Sequence, residues 1–120
     1  MTSLLGLALC AAVVQTAPPD RPLPVLRHLY AENCARCHGL DGSARSPEGT
    51  RLKGLDFTSA RDMEGRTDQE MAQAIASGLF FGLRMPAFRS TFSETEIRTL
   101  IREVLRKARR GRPLDEPAER

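Results

Sequence analysis

Between Leu23 and Ala108 the apolar residues gather into three stripes of helical period, separated by stretches with no period at all. The first stripe runs through Leu26, Leu29, Tyr30, Asn33, Cys34 and Cys37, so the helix it predicts carries its buried face straight into a pair of cysteines. A second helix is predicted to open at Thr67 and Glu70, which form a capping box, to bury Met71, Ala74, Ile75 and Leu79, and to stop at Gly78. The third has Ser93 and Glu96 as its capping box and Phe92 and Ile97 at staple positions. Its stripe is Ile97, Leu100, Ile101, Val104, Leu105 and Ala108, with Gly111 and Pro113 as its expected end. Residues 39–65 are Gly, Ser, Pro and charge, the composition of an irregular loop. A loop beyond ~12–15 residues in a small domain needs something to wrap. No alternating, β-rich run precedes the cysteines, and the expected fold class is all-α.

Upstream the pattern changes. Leu4 to Val14 is almost unbroken apolar sequence, the length of a signal-peptide core and short of the ~20 residues a membrane span needs. Residues 1–17 therefore read as an export signal with cleavage after Ala17, although no Lys or Arg precedes the apolar run. Cys10 invites comparison with a lipoprotein signal, against which Leu9 is too large for the residue before the lipidated cysteine; otherwise Cys10 is a small apolar residue of the leader. The expected location is the periplasm or another exported site, with membrane association through an uncleaved leader or a lipidated Cys10 as the alternative. Residues 18–22 form a Pro-rich linker, 23–112 the domain, and 113–120 a flexible tail.

Charge and composition narrow the classes. With 41% apolar residues in periodic groups the chain is not disordered, and a net charge of +3 on an exported chain argues against nucleic acid as a partner. Without the leader there remain roughly 100 residues with no Trp, near the size at which a core needs outside help. From Arg98 to Arg112 seven Lys or Arg face only Glu103. That basic face either solvates a helix C-terminus or steers an acidic partner.

The chemistry concentrates in Cys34-Ala35-Arg36-Cys37-His38. Thiols at i and i+3 share a helical face and can reach the two vinyl groups on one edge of a porphyrin, and the histidine that follows supplies an axial nitrogen for iron. A structural zinc site needs four ligands, and only Cys10 and His28 remain to complete one; His28 points away from the buried stripe and reads as a solvated helix residue. A thioredoxin-like redox site needs a preceding strand. Covalent attachment of one haem c is the reading left. In the long loop Leu52, Leu55 and Phe57 are candidate haem contacts, with a small satellite cluster as the alternative. Met63 and Met71 sit at helical positions and read as core filler. Met85 differs, since Pro86 pushes it out of helical backbone and presents its thioether from a loop as a second axial ligand.

Taken together, these motifs resemble a single-haem class I cytochrome c over Leu23 to about Arg109, through Cys34 to Gly39 with Gly42, Leu55 to Thr58, Ile75 to Gly78 and Met85-Pro86-Ala87-Phe88. The likeness is greatest to small bacterial cytochrome subunits. It implies a small all-α fold packed around one covalent haem, thioethers at Cys34 and Cys37, and His38 and Met85 as iron ligands. It also sets Pro47 against the proline whose carbonyl orients the axial imidazole. Two positions depart from the family: its first and last helices cross where a glycine meets an aromatic ring, here Leu26 and Glu103, and no Trp is present for a haem propionate. Arg51, Lys53 and Arg84 are the candidates to replace it.

The expected function is one-electron transfer, not catalysis, between exported or membrane-bound redox proteins, including an acidic surface or a membrane oxidoreductase complex. One alternative is a haem accessory subunit of an oxidoreductase complex. The other is an open-site haem protein binding a small ligand, if Met85 does not reach iron.

Overall fold

The computed structural model describes residues 19–117 together with residues 6, 8 and 10–12. Most of the expected leader, and its cleavage site after Ala17, lie outside the described residues; Cys10 is exposed. No helix among the described residues is long and apolar enough to cross a membrane.

The described elements are helical: α1 (Leu23–Asn33), α2 (Ala35–His38), α3 (Ala60–Met63), α4 (Asp68–Ser77), a 3-10 turn (Phe80–Gly82), α5 (Glu94–Leu100) and a π-helical turn (Ile101–Leu105). The only β-type pairings among them are isolated bridges, Arg45 with Arg51 and Leu79 with Met85. The all-α expectation holds, and the stripes read from sequence meet in one core of Leu26, Tyr30, Met71, Ile75, Phe92, Ile97, Leu100, Ile101, Val104 and Leu105. Both expected capping boxes form, at Thr67 with Glu70 and at Ser93 with Glu96. Gly78 ends α4 at φ +73, where an L side chain is strained. Met71 is buried and Met63 packs against the core, as filler.

The structure corrects several boundaries. The first helix is not continuous through the cysteines: Cys34 has φ −112, so its N–H closes α1 on the Tyr30 carbonyl while its own carbonyl starts α2. The long loop holds α3, capped by the Ser59 hydroxyl on the Asp62 N–H. The last helix stops well before Gly111. The Arg106 N–H reaches back to the Ile101 carbonyl at 2.9 Å, five residues away, a widened turn in which Ile101, Val104 and Leu105 all face the core. The chain then doubles back, with the Gly111 N–H on Asp41 at 2.8 Å and the Leu114 N–H on the Leu40 carbonyl at 2.8 Å.

That return brings Leu114 into the core, so the boundary drawn at residue 113 falls just before a buried anchor. Arg27, itself buried, holds it there, donating to the carbonyls of Leu114 and Glu116 at 3.2 and 3.3 Å and of Glu103 at 3.4 Å. The linker is equally engaged. Arg21 grips Glu96 with Nε and Nη2 at 2.8 and 3.0 Å, and the Ser93 hydroxyl donates to Asp20, so the strap is tied across the start of α5. Glu103 does not enter a helix crossing with its side chain, which turns outward to Lys107 at 2.7 Å, while Leu26 is in the core.

Candidate haem site

The break at Cys34 positions the site. With the Cys37 and His38 N–H groups both on the Cys34 carbonyl, at 3.2 and 2.9 Å, one tight turn carries both thiols and the imidazole. Both cysteines are free and half-buried. Burial pushes the Cys34 thiol up to about 12, and the neighbouring Cys37 acts in the same direction.

His38 is held from three sides. Its Nδ1 lies 3.1 Å from the Leu55 carbonyl, which assigns the ring proton to Nδ1 and leaves Nε2 as the nitrogen with a lone pair. Phe57 stacks on the ring with centroids 4.6 Å apart. Gly54 lies so close that a Cβ there would sit 2.6 Å from Nδ1 and 2.8 Å from the Cys37 carbonyl carbon, and its N–H donates to that carbonyl at 2.8 Å. Burial lowers the His38 pKa, against the opposing pull of the Leu55 hydrogen bond, and favours the neutral imidazole that can donate to a metal. Pro47, set against the orienting proline, is exposed and makes no such contact; the Leu55 carbonyl takes that place. Sequence reading singled out Leu55 for its side chain and missed Gly54, whose need for a bare Cα appears only when loop and helix meet.

On the other side of the loop system, Met85 is half-buried against the core and held by the bridge to Leu79, in which the Leu79 N–H donates to the Met85 carbonyl at 2.9 Å. Gly78 makes room for that strand, since a Cβ there would meet the Ala87 nitrogen at 2.9 Å. Residues 79–83 between them are exposed, and Phe80 and Phe81 both adopt positive φ.

Lys53, Phe80, Leu83 and Arg84 line one cleft of about 590 Å³. Lys53 adjoins Gly54 and Arg84 adjoins Met85 in sequence, so the cleft lies beside both candidate ligand segments, although none of Cys34, Cys37, His38 and Met85 lines it. Apolar walls with two cations suit a flat, apolar ring bearing carboxylates. Arg51 is committed elsewhere, donating through Nη1 to the carbonyls of Ala44, Leu52 and Gly54 at 3.1, 2.6 and 3.0 Å. None of the three expected haem contacts lines the cleft: Leu52 is tied by its N–H to the Ala44 carbonyl, the Leu55 carbonyl meets His38, and Phe57 stacks on the His38 ring. His28 pairs with Glu32 at 2.9 Å in solvent, and no group of three or more metal-binding side chains converges among the described residues. The donor set here, two thiols and a neutral imidazole on one turn with a thioether from a second loop, fits a covalent haem.

Residues 23–102 match the sequence profile of the cytochrome c oxidase, cbb3-type, subunit III family. No curated protein matches the chain. Among solved structures it is similar to the KustC0563 c-type cytochrome, with 24% identity, TM-score 0.54, and 70% of this chain and 96% of that one covered. It is also similar to the c-type cytochrome NirC, with 23% identity, TM-score 0.53, and 69% and 86% covered. At these identities the two structures speak for the fold.

Proposed function

The chain belongs to the cytochrome c oxidase, cbb3-type, subunit III family and is an electron-transfer protein with covalently attached haem c, and we propose that it relays single electrons between exported redox proteins, with His38 and Met85 as the side chains that would hold the iron. When bound, the haem supplies a one-electron iron couple. Cys34 and Cys37 form the thioethers, and His38 presents Nε2 because Leu55 holds the proton of Nδ1. Phe57 and Gly54 keep that ring from rotating. Met85 provides the second ligand from its proline-stiffened loop. Lys53 and Arg84, which line the cleft, would pair with the haem carboxylates, and Arg51 braces the loop through the Ala44, Leu52 and Gly54 carbonyls.

The observation that carries this reading is the attachment turn itself, in which the Cys37 and His38 N–H groups share the Cys34 carbonyl and the Leu55 carbonyl holds His38 through Nδ1. With His38 and Met85 both holding the iron, no open site would be left for a substrate, which is what separates a relay from an open-site haem protein. Export is supported by the apolar leader over residues 1–17. A second reading, an accessory subunit of an oxidoreductase complex, is favoured by the family match itself. In the purified protein we expect haem that survives denaturing electrophoresis and is reduced and reoxidised reversibly. Cys34→Ala with Cys37→Ala abolishes the covalent band. Haem that is absent, extractable or irreversibly reduced refutes the relay. A native mass above that of the monomer assigns the accessory role.

A further inference from the structure

The basic end of the chain is not used by the haem cleft. Arg45, Arg106, Lys107, Arg109 and Arg110, with Asp56, Thr58, Ser59 and Ala108, enclose a separate groove of about 700 Å³, and it shares no lining residue with the cleft. The early end of the last helix creates it: after Leu105 the chain turns, and its cations come to lie beside residues 56–59 and Arg45 instead of projecting along a helix.

The one lining carboxylate is already engaged. Asp56 is buried, accepts the N–H and hydroxyl of Thr58 at 2.9 and 2.6 Å, and faces Arg110 at 3.8 Å. Arg106 pairs with Asp68 and Lys107 with Glu103, both outside the groove. Arg45 and Arg109 are exposed and enter no ion pair among the described residues. Positive charge is thus left over, and it is spread along a concavity.

We infer that this groove is a docking site for an acidic segment of a protein partner, distinct from the haem cleft. Its volume exceeds what one phosphate occupies, and Arg45 and Arg109, unpaired among the described residues, with Arg110 only loosely held by Asp56 at 3.8 Å, fit a segment bearing two or three carboxylates. Its only aliphatic lining residue is Ala108, whereas a membrane-binding surface carries large apolar side chains to insert. The inference takes only the class of partner from the electron-transfer reading; the groove stands on its own charges.

The test is titration of the haem-loaded protein with a synthetic oligoglutamate peptide, with inorganic phosphate and with phosphatidylglycerol vesicles, at low ionic strength. Two charge-reversal variants accompany it, R45E/R109E in the groove and R98E/R102E on the exposed helix face, equal in net charge. Saturable one-to-one peptide binding, weakened about tenfold in R45E/R109E and by less than about threefold in R98E/R102E, supports the site. No saturable binding, or equal weakening in the two variants, overturns it. Phosphate competing at the concentration of the peptide overturns it in favour of a small-anion site, and vesicle binding lost in R45E/R109E in favour of a membrane surface. Reversible haem reduction is recorded for every sample. A protein that binds peptide without cycling electrons refutes the relay and keeps the groove, and one that cycles without binding does the reverse.

Discussion

His38 sits where ring, backbone and neighbouring loop all make contact, whereas Met85, half-buried against the core and bridged to Leu79, follows an exposed turn. On the His38 side Leu55 meets Nδ1, Phe57 covers the ring, and Gly54 closes against the Cys37 carbonyl. On the Met85 side Phe81 is fully exposed at φ 56, and Phe80 lies under Arg84 at 5.5 Å with two-thirds of its surface in solvent. The difference assigns different work to two loops of one small protein. The first is rigid because several hydrogen bonds and a packed ring leave it one conformation. The second is fastened where the Phe88 N–H meets the Ile75 carbonyl at 2.9 Å and closes on itself through hydrogen bonds between Leu79 and Gly82, Arg84 and Met85, but its side chains at 80, 81 and 83 stand in solvent.

Four substitutions test this contrast. Gly54→Ala presses a methyl group against backbone that cannot yield and against the His38 ring. A loss of about 3 kcal/mol is expected in denaturant unfolding, with a disturbed His38 environment. An unchanged stability removes Gly54 from the argument for rigidity. Glu96→Gln acts away from both loops, since it weakens the Arg21 pair that holds the strap to α5, and about 2 kcal/mol is expected. The Arg21 hydrogen bonds, against the penalty of burial, hold the Glu96 carboxyl down to about 2. A lowered folded-state pKa adds stability above the ordinary 4.5, and that contribution disappears as pH falls through about 2. The gap in melting temperature between parent and variant should therefore be full at neutral pH and close between about pH 4.5 and 2. A gap independent of pH refutes the assignment.

Met85→Ala acts on one side alone. A half-buried methionine lost from the core removes about 1–2 kcal/mol, and the near-infrared sulfur-to-iron band disappears while the covalent haem remains. An unchanged low-spin spectrum takes Met85 away from the iron. Phe81→Gly has the smallest effect. It relieves positive φ at a side chain with no burial, so stability moves by less than about 1 kcal/mol and upward; a clear loss in thermal unfolding shows that Phe81 packs in solution.

Part of the candidate site is legible in the sequence, for reasons visible in particular residues. Cys34, Cys37 and His38 are neighbours in sequence, so their proximity follows from the chain itself. Thr67 with Glu70 and Ser93 with Glu96 are local devices of the same kind, and both form. Pro47 was the wrong choice for orienting the imidazole because a carbonyl has no sequence signature: any of the loop residues offers one, and only the path of the loop selects Leu55. Gly54, Arg27 and Arg21 escaped notice for a related reason, since the groups they serve lie far along the chain or belong to its backbone.

What the sequence determined alone was therefore everything carried by spacing within a turn or two: helical stripes, caps, the attachment motif, and the extended backbone before Pro86. What the tertiary structure decided was where segments distant in sequence meet. It split the first helix at Cys34, widened the last helix at Ile101 and ended it at Leu105 so that Leu114 could return to the core, and drew the basic residues after it into a groove. Local periodicity is set by backbone geometry, residue by residue, whereas a long-range contact depends on how all the packed faces are satisfied together.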